Sequence, residues 1–245
     1  MKKIVFMGSR NIGYNCLKYL LENKDILECE IVSVLTDINS NLESNKNVLS
    51  LAKESNIRIH DKLDDFLVEE SVDLIISVQY HKILKKKHIE KSKLAINLHM
   101  APLPEYRGSN QFCFAILNND KIFGTTLHIL DEGIDNGDII AESRFNIPEN
   151  CWIEDLYNLT CEKSFELFKN EIKKIINNDI KKIPQKDLIE KRGTSLHYRN
   201  EILDLKKIDL SWDKEKIERH IRATSMPNYE PPYTIIGNKK VYFKT

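Results

Sequence analysis

The chain has 245 residues, of which 41% are hydrophobic, and it carries 37 basic and 37 acidic side chains. Its length and hydrophobic fraction suit a globular protein with a sizeable core. Because the net charge is zero, no overall field attracts nucleic acid or an anionic membrane, and neither partner is expected. No run of 18 apolar residues is present and no signal-peptide core follows the start, so a cytoplasmic protein is expected.

The cysteines argue against two further classes of protein. They are Cys16, Cys29, Cys113, Cys151 and Cys161. An odd number without paired short spacing fits neither a disulfide framework nor a four-ligand zinc site. Cys113 falls in a predicted helix between two phenylalanines, where a small buried hydrophobe is favoured over a nucleophile.

Short apolar runs alternate with helical patterns over the first half of the chain. The predicted elements are strands at 3–7, 29–35, 72–78, 94–99 and 125–130, with helices at about 11–23 and 47–54. Such alternation favours a mostly parallel sheet with crossover helices. The runs are nearly continuous in apolar residues, as expected for strands covered on both faces. The predicted fold class is therefore an open α/β sheet.

The second half of the chain is predicted to contain a closing helix and a small extension. An amphipathic pattern over 152–177 predicts a long helix that completes a domain of residues 1–178. Residues 179–209 are Lys-rich and irregular, which predicts a linker. Residues 210–245 are predicted to form a helix at 214–223 and a hairpin of two strands, 233–236 and 240–243.

Gly8, Ser9 and Arg10 follow the first strand and open the first helix, where free backbone N–H groups can hold an anion. The stretch lacks both the Lys-Ser/Thr of a P-loop and the glycine spacing of a dinucleotide fingerprint, which argues against ATP and NAD. A tight structural turn explains these residues equally well. If they are functional, the Arg10 guanidinium suits a diphosphate.

Asn97 and His99 lie two residues apart in a predicted strand, so their side chains point to the same side. A run with two prolines and a glycine follows and leaves the pair at a strand end, where a cleft can form. Asp135 lies at the tip of an acidic turn, 131–138, after the next strand. On spacing alone, a satisfied polar strand end explains the pair equally well.

The same acidic turn has a second interpretation, a calcium site built from Asp131, Asp135 and Asp138. Their spacing lacks the odd-position ligands and the terminal Glu of a calcium loop. No metal is expected.

Together, residues 97–108 and the acidic turn resemble the folate-dependent formyltransferase superfamily, which includes methionyl-tRNA, glycinamide ribonucleotide and nucleotide-sugar formyltransferases. The resemblance runs from residue 3 to about 145 and recurs weakly at 221–224 and 231–233. It implies a Rossmann-like sheet of the formyltransferase type with a small C-terminal helix and β-hairpin extension. It also implies a catalytic trio of Asn97, His99 and Asp135.

The chemistry of formyl transfer explains these residue types. An amine that attacks a formyl group makes a tetrahedral intermediate whose oxygen gains negative charge, so N–H donors must already point there. Asn97 and His99 can supply them, and His99 can instead accept the proton of the amine. Asp135 would orient His99. One nitrogen cannot donate and accept at once, so the role of His99 as base or oxyanion donor stays open.

The resemblance implies 10-formyltetrahydrofolate as co-substrate, with its pterin ring beside the fourth strand and the acidic turn. The residues at those positions are Ser77, Gln79, Tyr80, Ile83, Leu84, Asp131 and Gly133. Backbone groups and apolar side chains suit a flat, hydrogen-bonding ring. For Tyr80, an ordinary loop aromatic is the alternative.

Three classes of acceptor remain: an aminoacyl-tRNA, a purine precursor and a nucleotide-linked amino sugar. The tRNA enzymes carry a basic C-terminal barrel domain, whereas the tail of this sequence is short and of mixed charge, and the purine enzyme ends near the long helix. The short tail resembles sugar N-formyltransferases instead. This implies a homodimer whose preferred acceptor is dTDP-4-amino-4,6-dideoxyglucose, for surface polysaccharides such as the O-antigen of lipopolysaccharide. The nucleotide and the position of the amine stay open, and a non-catalytic nucleotide-binding domain is an alternative.

Candidate residues for the acceptor are polar side chains suited to a sugar or diphosphate and aromatic side chains suited to base stacking. They are Gly8, Ser9, Arg10, Arg107, Ser109, Asn110, Gln111, Trp152, Tyr229 and Tyr233. For Trp152, a place in the core is the alternative.

Overall fold

The computed structural model describes residues 1–37, 47–68 and 71–244. Its strands are β1 Lys2–Gly8, β2 Cys29–Leu35, β3 Arg58–His60, β4 Val72–Val78, β5 Ser92–His99, β6 Arg107–Gly108, β7 Ile122–Ile129, β8 Ile139–Asn146, β9 Leu196–His197, β10 Tyr233–Ile236 and β11 Lys239–Tyr242. Its helices are α1 Arg10–Glu22, α2 Lys24–Leu27, α3 Val48–Glu54, α4 Lys86–Ile89, α5 Gln111–Leu117, α6 Ile153–Ile176, α7 Lys186–Arg192, α8 Ile202–Leu205 and α9 Lys214–Thr224.

Seven strands from these described ranges form one sheet in the order β3-β2-β1-β4-β5-β7-β8. The pairs from β3 to β5 are parallel, whereas β7 and β8 join the far edge antiparallel. The predicted open, mostly parallel α/β fold is confirmed. The chain moves outward in opposite directions from β1 and from β4, so a topological switch point lies between them. Ligands bind outside the carboxyl ends of strands at such points, and there Gly8 and Val78 end β1 and β4.

The central strands are covered on both faces, as their continuous apolar runs predict. Phe6 of β1 packs in a cluster that includes residues of α1 and α6, such as Leu17 and Phe168. Its neighbours Val5 and Met7 pack in a separate cluster. All of these side chains are fully buried, and burial of a side chain of this size contributes about 1.5–3 kcal/mol. The two clusters hold the sheet rigid at the edge where the predicted motifs lie.

The long helix α6 braces the end of β5. Its bounds, Ile153–Ile176, agree with the predicted helix within one residue at each end. The buried Ser164 hydroxyl lies 2.7 Å from Thr125 Oγ1, which donates to the carbonyl of His99 at 2.9 Å. This chain of bonds links the helix to the strand end that carries the Asn-x-His motif.

The predicted C-terminal helix and hairpin are confirmed. Helix α9 begins after Asp213, whose side chain accepts from the backbone N–H of Lys216 at 2.8 Å, as an N-cap residue should. Between β10 and β11, Gly237 and Asn238 both have positive φ, 54° and 64°. Two such residues match the type I′ turn that suits a two-residue hairpin.

Residues 179–209, predicted as a linker, contain helices α7 and α8 and three stretches that pair with the rest of the chain, at Ile183, at β9 and at Lys207. β9 pairs in parallel with β6, and Ile183 exchanges two backbone hydrogen bonds of 2.9 Å with Ile139. We call residues 183–199 the strap. The short strands β6 and β9 carry too little periodicity to be predicted, and β8 has the mixed polar pattern of an edge strand.

As far as the structure describes the chain, no helix is long and apolar enough to cross a membrane.

Burial suppresses the reactivity of every cysteine. It raises the pKa of Cys29 and Cys161 to about 11 and that of Cys113 to about 12. It also raises the pKa of Cys16 and Cys151. Because the thiolate is the nucleophile, a thiol reagent at pH 7 should label the native protein at least about tenfold more slowly than protein unfolded in urea. Mass spectrometry after timed labelling measures this, and rapid labelling of native Cys113 would contradict it.

Candidate active site

The site lies where β5 ends, between β4 and β7. In the sheet, Asn97 is paired with Ser77 of β4 on one side and with His128 of β7 on the other. His99 follows two residues later and is 5% exposed. The pair therefore faces one space, as the strand alternation predicts.

Asp135 joins this pair through both of its carboxylate oxygens. Oδ1 lies 3.3 Å from Asn97 Nδ2, and Oδ2 lies 3.5 Å from His99 Nδ1. The backbone N–H of Gly108 donates to Oδ2 at 3.0 Å. The structure thus brings together the three residues that the sequence predicts as a trio, two from the end of β5 and one from the acidic turn.

The surroundings of Asp135 favour its charged form. Burial by itself raises the pKa of this carboxyl group, whereas the facing imidazole of His99, with the N–H of Gly108, lowers it. They hold the pKa of Asp135 well below its usual range. The site therefore contains a buried carboxylate at neutral pH.

The ring of His99 has one nitrogen already engaged. Nε2 lies 2.7 Å from the carbonyl oxygen of Tyr106, and a carbonyl can only accept, so Nε2 carries a hydrogen. Nδ1, which faces Asp135, is therefore the nitrogen left to interact with a substrate. Whether His99 accepts or donates, it does so at Nδ1.

Tyr106 is itself held in place, which positions the carbonyl that His99 contacts. Its hydroxyl donates to Asp120 and accepts from Asn118 Nδ2, the latter at 2.9 Å. Its ring is buried against Phe123. The ring anchor thereby limits how far the loop between β5 and β6 can shift.

His128 belongs to the same cluster, although the sequence analysis did not select it. It is 1% exposed, and its Nε2 lies 3.2 Å from Asn97 Nδ2 and 3.4 Å from Asp135 Oδ1. Its Nδ1 lies 2.8 Å from the carbonyl of Ile129. A polar residue inside an apolar strand shortly before the acidic turn was the available signal.

Gln185 of the strap hydrogen-bonds to the backbone of the turn that carries Asp135. Its Nε2 donates to the carbonyls of Asp135 and Gly137, both at 2.8 Å, and the side chain is 6% exposed. Asp135 has a positive φ of 47°, which is uncommon for a residue with a side chain. Gln185 therefore holds a turn of restricted geometry, and no local sequence pattern indicates a partner 50 residues away.

The strap also holds the loop after β5. The guanidinium of Arg192 donates two hydrogen bonds to the carboxylate of Glu142, at 2.8 and 2.9 Å. It also donates to the carbonyl oxygen of Leu103 at 3.3 Å. Ser195 Oγ donates to the carbonyl of Glu105 at 2.6 Å. The two loops that carry the site are thus fixed by one segment.

Two glycines allow these close approaches. Gly108 has φ 84°, and a Cβ there would lie 2.2 Å from the carbonyl oxygen of His197. A Cβ on Gly137 would lie 2.0 Å from the carbonyl oxygen of Ile129. Any larger residue would therefore push the strap or the acidic turn away from the site.

The predicted folate residues lie on two sides of this cluster. Ser77 is buried beside Asn97, and the carbonyl of Gln79 accepts from the Ser9 hydroxyl. Tyr80 and Leu84 pack in a core cluster, and burial raises the pKa of Tyr80 to about 12. Ile83, in contrast, is 67% exposed.

The remaining folate candidates form a self-contained turn. Asp131 accepts from the N–H of Gly133 at 2.9 Å and from Asn136 Nδ2 at 3.1 Å. Arg107 Nη1 donates to Asn136 Oδ1 at 3.1 Å, so this acceptor candidate also borders the turn.

Arg10 and Tyr229, predicted separately as acceptor residues, are in direct contact. Arg10 Nη2 lies 2.9 Å from the Tyr229 hydroxyl, across 219 residues of sequence. Arg10 also lies near Tyr157 of α6, which packs edge-on against Phe112. Gly8 and Ser9 precede Arg10 at the end of β1. Tyr157 was missed because its helical spacing indicates only core packing.

Other acceptor candidates are engaged in holding the strap or in building α5. The N–H of Ser109 donates to the carbonyl of His197, and Asn110 Nδ2 donates to the carbonyl of Tyr198, both at 2.8 Å. Gln111 is 8% exposed and begins α5.

Trp152 and Tyr233 lie apart from the Arg10–Tyr229 contact. The N–H of Trp152 bonds to Asp155 at 3.3 Å where α6 begins. The ring of Tyr233 has Lys240 Nζ 4.0 Å from its centre, within the hairpin. Among the described residues, neither stacks on nor hydrogen-bonds to Arg10 or Tyr229.

In the part of the chain that the structure describes, no group of three His, Cys, Asp or Glu side chains is arranged to hold a metal ion.

Comparison with known proteins identifies the family. Residues 2–172 match the formyl transferase family model, which spans well over half of the chain. The chain belongs to the formyl transferase family, and the resemblance seen in the sequence is confirmed.

Three relatives illustrate the range of acceptors within this family. A methionyl-tRNA formyltransferase of Clostridium tetani is 30% identical over 229 residues, which cover 85% of this chain and 72% of that enzyme. The N-formyltransferase of Helicobacter canadensis, solved with folinic acid and dTDP-3-aminofucose, is 29% identical, with a TM-score of 0.80 over 98% of this chain and 86% of that one. WlaRD, a sugar 3N-formyltransferase solved with dTDP and 5-N-formyl-THF, is 32% identical, with a TM-score of 0.80 over 98% and 85%.

Replacement of Gln185 by Met should destabilise the fold. The change removes two hydrogen bonds and leaves the carbonyls of Asp135 and Gly137 without donors, and an unsatisfied buried group costs about 1–3 kcal/mol. We expect the free energy of unfolding, measured with urea and circular dichroism, to fall by about that amount. Lys186→Met, at the exposed neighbouring position, is the control. Equal stability of the two variants would contradict the role of Gln185.

Proposed function

We propose that this protein transfers a formyl group from 10-formyltetrahydrofolate to the amino group of a nucleotide-linked amino-dideoxy sugar. The preferred acceptor is dTDP-4-amino-4,6-dideoxyglucose. The observation that carries the proposal is the convergence of Asn97, His99 and Asp135 at the end of β5, in a chain of the formyl transferase family.

The site offers a group for each step of this reaction. The amine nitrogen attacks the formyl carbon, a C–N bond forms, and the carbonyl oxygen becomes an oxyanion that Asn97 Nδ2 and protonated His99 Nδ1 can stabilise. The bond between the formyl carbon and N10 of the folate then breaks. N10 gains a proton and the amine loses one: His99 Nδ1 can give its proton to N10 and then accept that of the amine, while Asp135 stabilises the charged ring. The products are tetrahydrofolate and the N-formylated sugar.

The folate donor is supported by the two sugar enzymes whose structures contain folinic acid or 5-N-formyl-THF. In this chain, Ser77, Gln79 and Tyr80 lie at the carboxyl end of β4, next to Asn97. This is the position of the ligand crevice in an open α/β sheet. The pterin ring is proposed to lie there, against the acidic turn that begins at Asp131.

A nucleotide sugar is favoured over tRNA for two reasons. The two solved enzymes that match 98% of this chain at 29% and 32% identity are complexes with dTDP-3-aminofucose or with dTDP. The chain also has no net positive charge, which nucleic-acid binding favours. The Arg10–Tyr229 contact at the start of α1 suits the diphosphate of a nucleotide sugar.

The finer points rest on the resemblance. They are a dTDP nucleotide, an amine at the 4-position, a cytoplasmic homodimer, and a role of the product in surface polysaccharides such as O-antigen. The exposed apolar side chains of the hairpin, among them Ile236 and Val241, are consistent with a dimer contact.

Formyl transfer is tested by an assay of tetrahydrofolate release from 10-formyltetrahydrofolate, with a panel of dTDP-, UDP- and GDP-amino sugars and a methionyl-tRNA control. Asn97→Ala and His99→Ala should each lower kcat by about 10²–10³, because each removes a group that stabilises the transition state. The exposed Asn200→Ala is the matched control. Unchanged turnover in both variants would refute the mechanism, and turnover with tRNA alone would refute the sugar acceptor.

Arg10 is tested separately, through acceptor binding. Arg10→Met should raise KM for the nucleotide sugar roughly tenfold or more, with KM for the folate unchanged, because a charge-assisted contact to the diphosphate is lost. Tyr229→Phe, which frees the guanidinium from its hydroxyl partner, should change the same KM. Lys18→Met, exposed on the same helix, controls for loss of a positive charge. An unaltered KM in Arg10→Met would place the diphosphate elsewhere.

A further inference from the structure

We propose that His128 is a positioning residue that orients the amide of Asn97, so that one Asn97 N–H points away from His128 and Asp135 and toward the reacting carbonyl. The inference rests on the proposed formyl transfer and adds a fourth side chain to its machinery.

The tautomer of His128 follows from its contacts. Nδ1 lies 2.8 Å from the carbonyl oxygen of Ile129, and a carbonyl can only accept, so Nδ1 carries a hydrogen. In the neutral ring, Nε2 is then a bare acceptor. It lies 3.2 Å from Asn97 Nδ2, and at 1% exposure of the residue no solvent competes for it.

Three polar atoms around Asn97 form an almost equilateral triangle. Asn97 Nδ2 is 3.2 Å from His128 Nε2 and 3.3 Å from Asp135 Oδ1, and these two acceptors are 3.4 Å apart. They therefore subtend an angle of about 60° at Nδ2, whereas the two N–H bonds of a planar amide diverge by about 120°. One N–H points between the two acceptors and serves both. The other is directed away from them.

The paired acceptors determine both the flip and the tilt of the amide. A flipped amide would place Asn97 Oδ1 against the lone pair of His128 and the charge of Asp135, which is repulsive. Without His128, a linear bond to Asp135 alone would turn the amide by about 30°, half the angle between the acceptors, and catalytic groups tolerate only about 10–20°. His128 therefore fixes the tilt of the Asn97 amide, which Asp135 alone would leave about 30° away from this orientation.

Two substitutions separate the acceptor from the rest of the ring. In His128→Gln, Oε1 can occupy the place of Nε2 and accept from Asn97. In His128→Asn, the shorter amide can replace the Nδ1 donor to Ile129 but leaves no acceptor at Nε2. We expect the kcat of His128→Gln to stay within about fivefold of wild type and that of His128→Asn to fall about 10- to 100-fold. In both variants, KM for the folate and KM for the nucleotide sugar should stay within about threefold of wild type. Equal loss of kcat in the two variants would overturn the proposal.

A double-mutant cycle tests whether His128 acts through Asn97. In an Asn97→Ala background, His128→Asn should lower kcat by no more than about twofold, because the amide that it orients is gone. A full additional loss, or a loss that follows the melting temperature of each variant, would show a structural role and overturn the proposal.

A measurement without turnover keeps this inference separate from the proposed function. Nitrogen-15 NMR of the wild-type imidazoles at neutral pH should show His128 protonated at Nδ1 and bare at Nε2. A hydrogen on Nε2 would overturn the proposal whether or not the enzyme turns over. If wild type releases no tetrahydrofolate with any acceptor while this tautomer is observed, the proposed function fails and the orientation of Asn97 stands.

Discussion

The buried carboxylate of Asp135 is the constraint on which the rest of the site depends. An ionised carboxylate away from water is costly unless charges and hydrogen-bond donors compensate it. Here His99, Asn97 and the N–H of Gly108 compensate it, and His128 lies beside it. These groups come from β5, β6 and β7, so the carboxylate is tolerated only when the antiparallel pairing of β5 with β7 is formed and β6 and the acidic turn are in place. Folding and the assembly of the site are therefore the same event.

The register of β5 against β7 is the first means of meeting this constraint. A slip of one residue would turn Asn97 and His99 to the opposite face, and pairing of Asn97 with His128 prevents it. The strap is the second means, since Gln185 holds the turn of Asp135 and Arg192 holds the opposite loop. A segment without regular periodicity thus determines the geometry of a site whose reacting groups lie elsewhere.

The difference between what the sequence predicts and what it does not has a physical origin. The periodicity of apolar residues indicates local structure. The predicted strands 29–35 and 72–78 coincide with β2 and β4. The ends of the predicted helices differ from the observed ends by one or two residues, because helix ends fray. The spacing of Asn97 and His99, and the turn that carries Asp135, are also local signals. Gln185 and Tyr157 act through contacts formed 50 and 147 residues away in sequence, and nothing near them in the chain indicates such partners.

The two halves of the proposed reaction are served by different parts of the chain. The trio and His128 all lie within residues 2–172, which match the family model. Arg10 also lies within this range, but its partner Tyr229 belongs to the C-terminal extension, beyond it. If the diphosphate binds at Arg10 as proposed, a change in what packs against the start of α1 would alter acceptor binding without disturbing the carboxylate of Asp135. Under the proposed function, this division of labour would let a chain about equally similar to a tRNA enzyme and to sugar enzymes select one acceptor, and the contact between α1 and the extension would be the place of that selection.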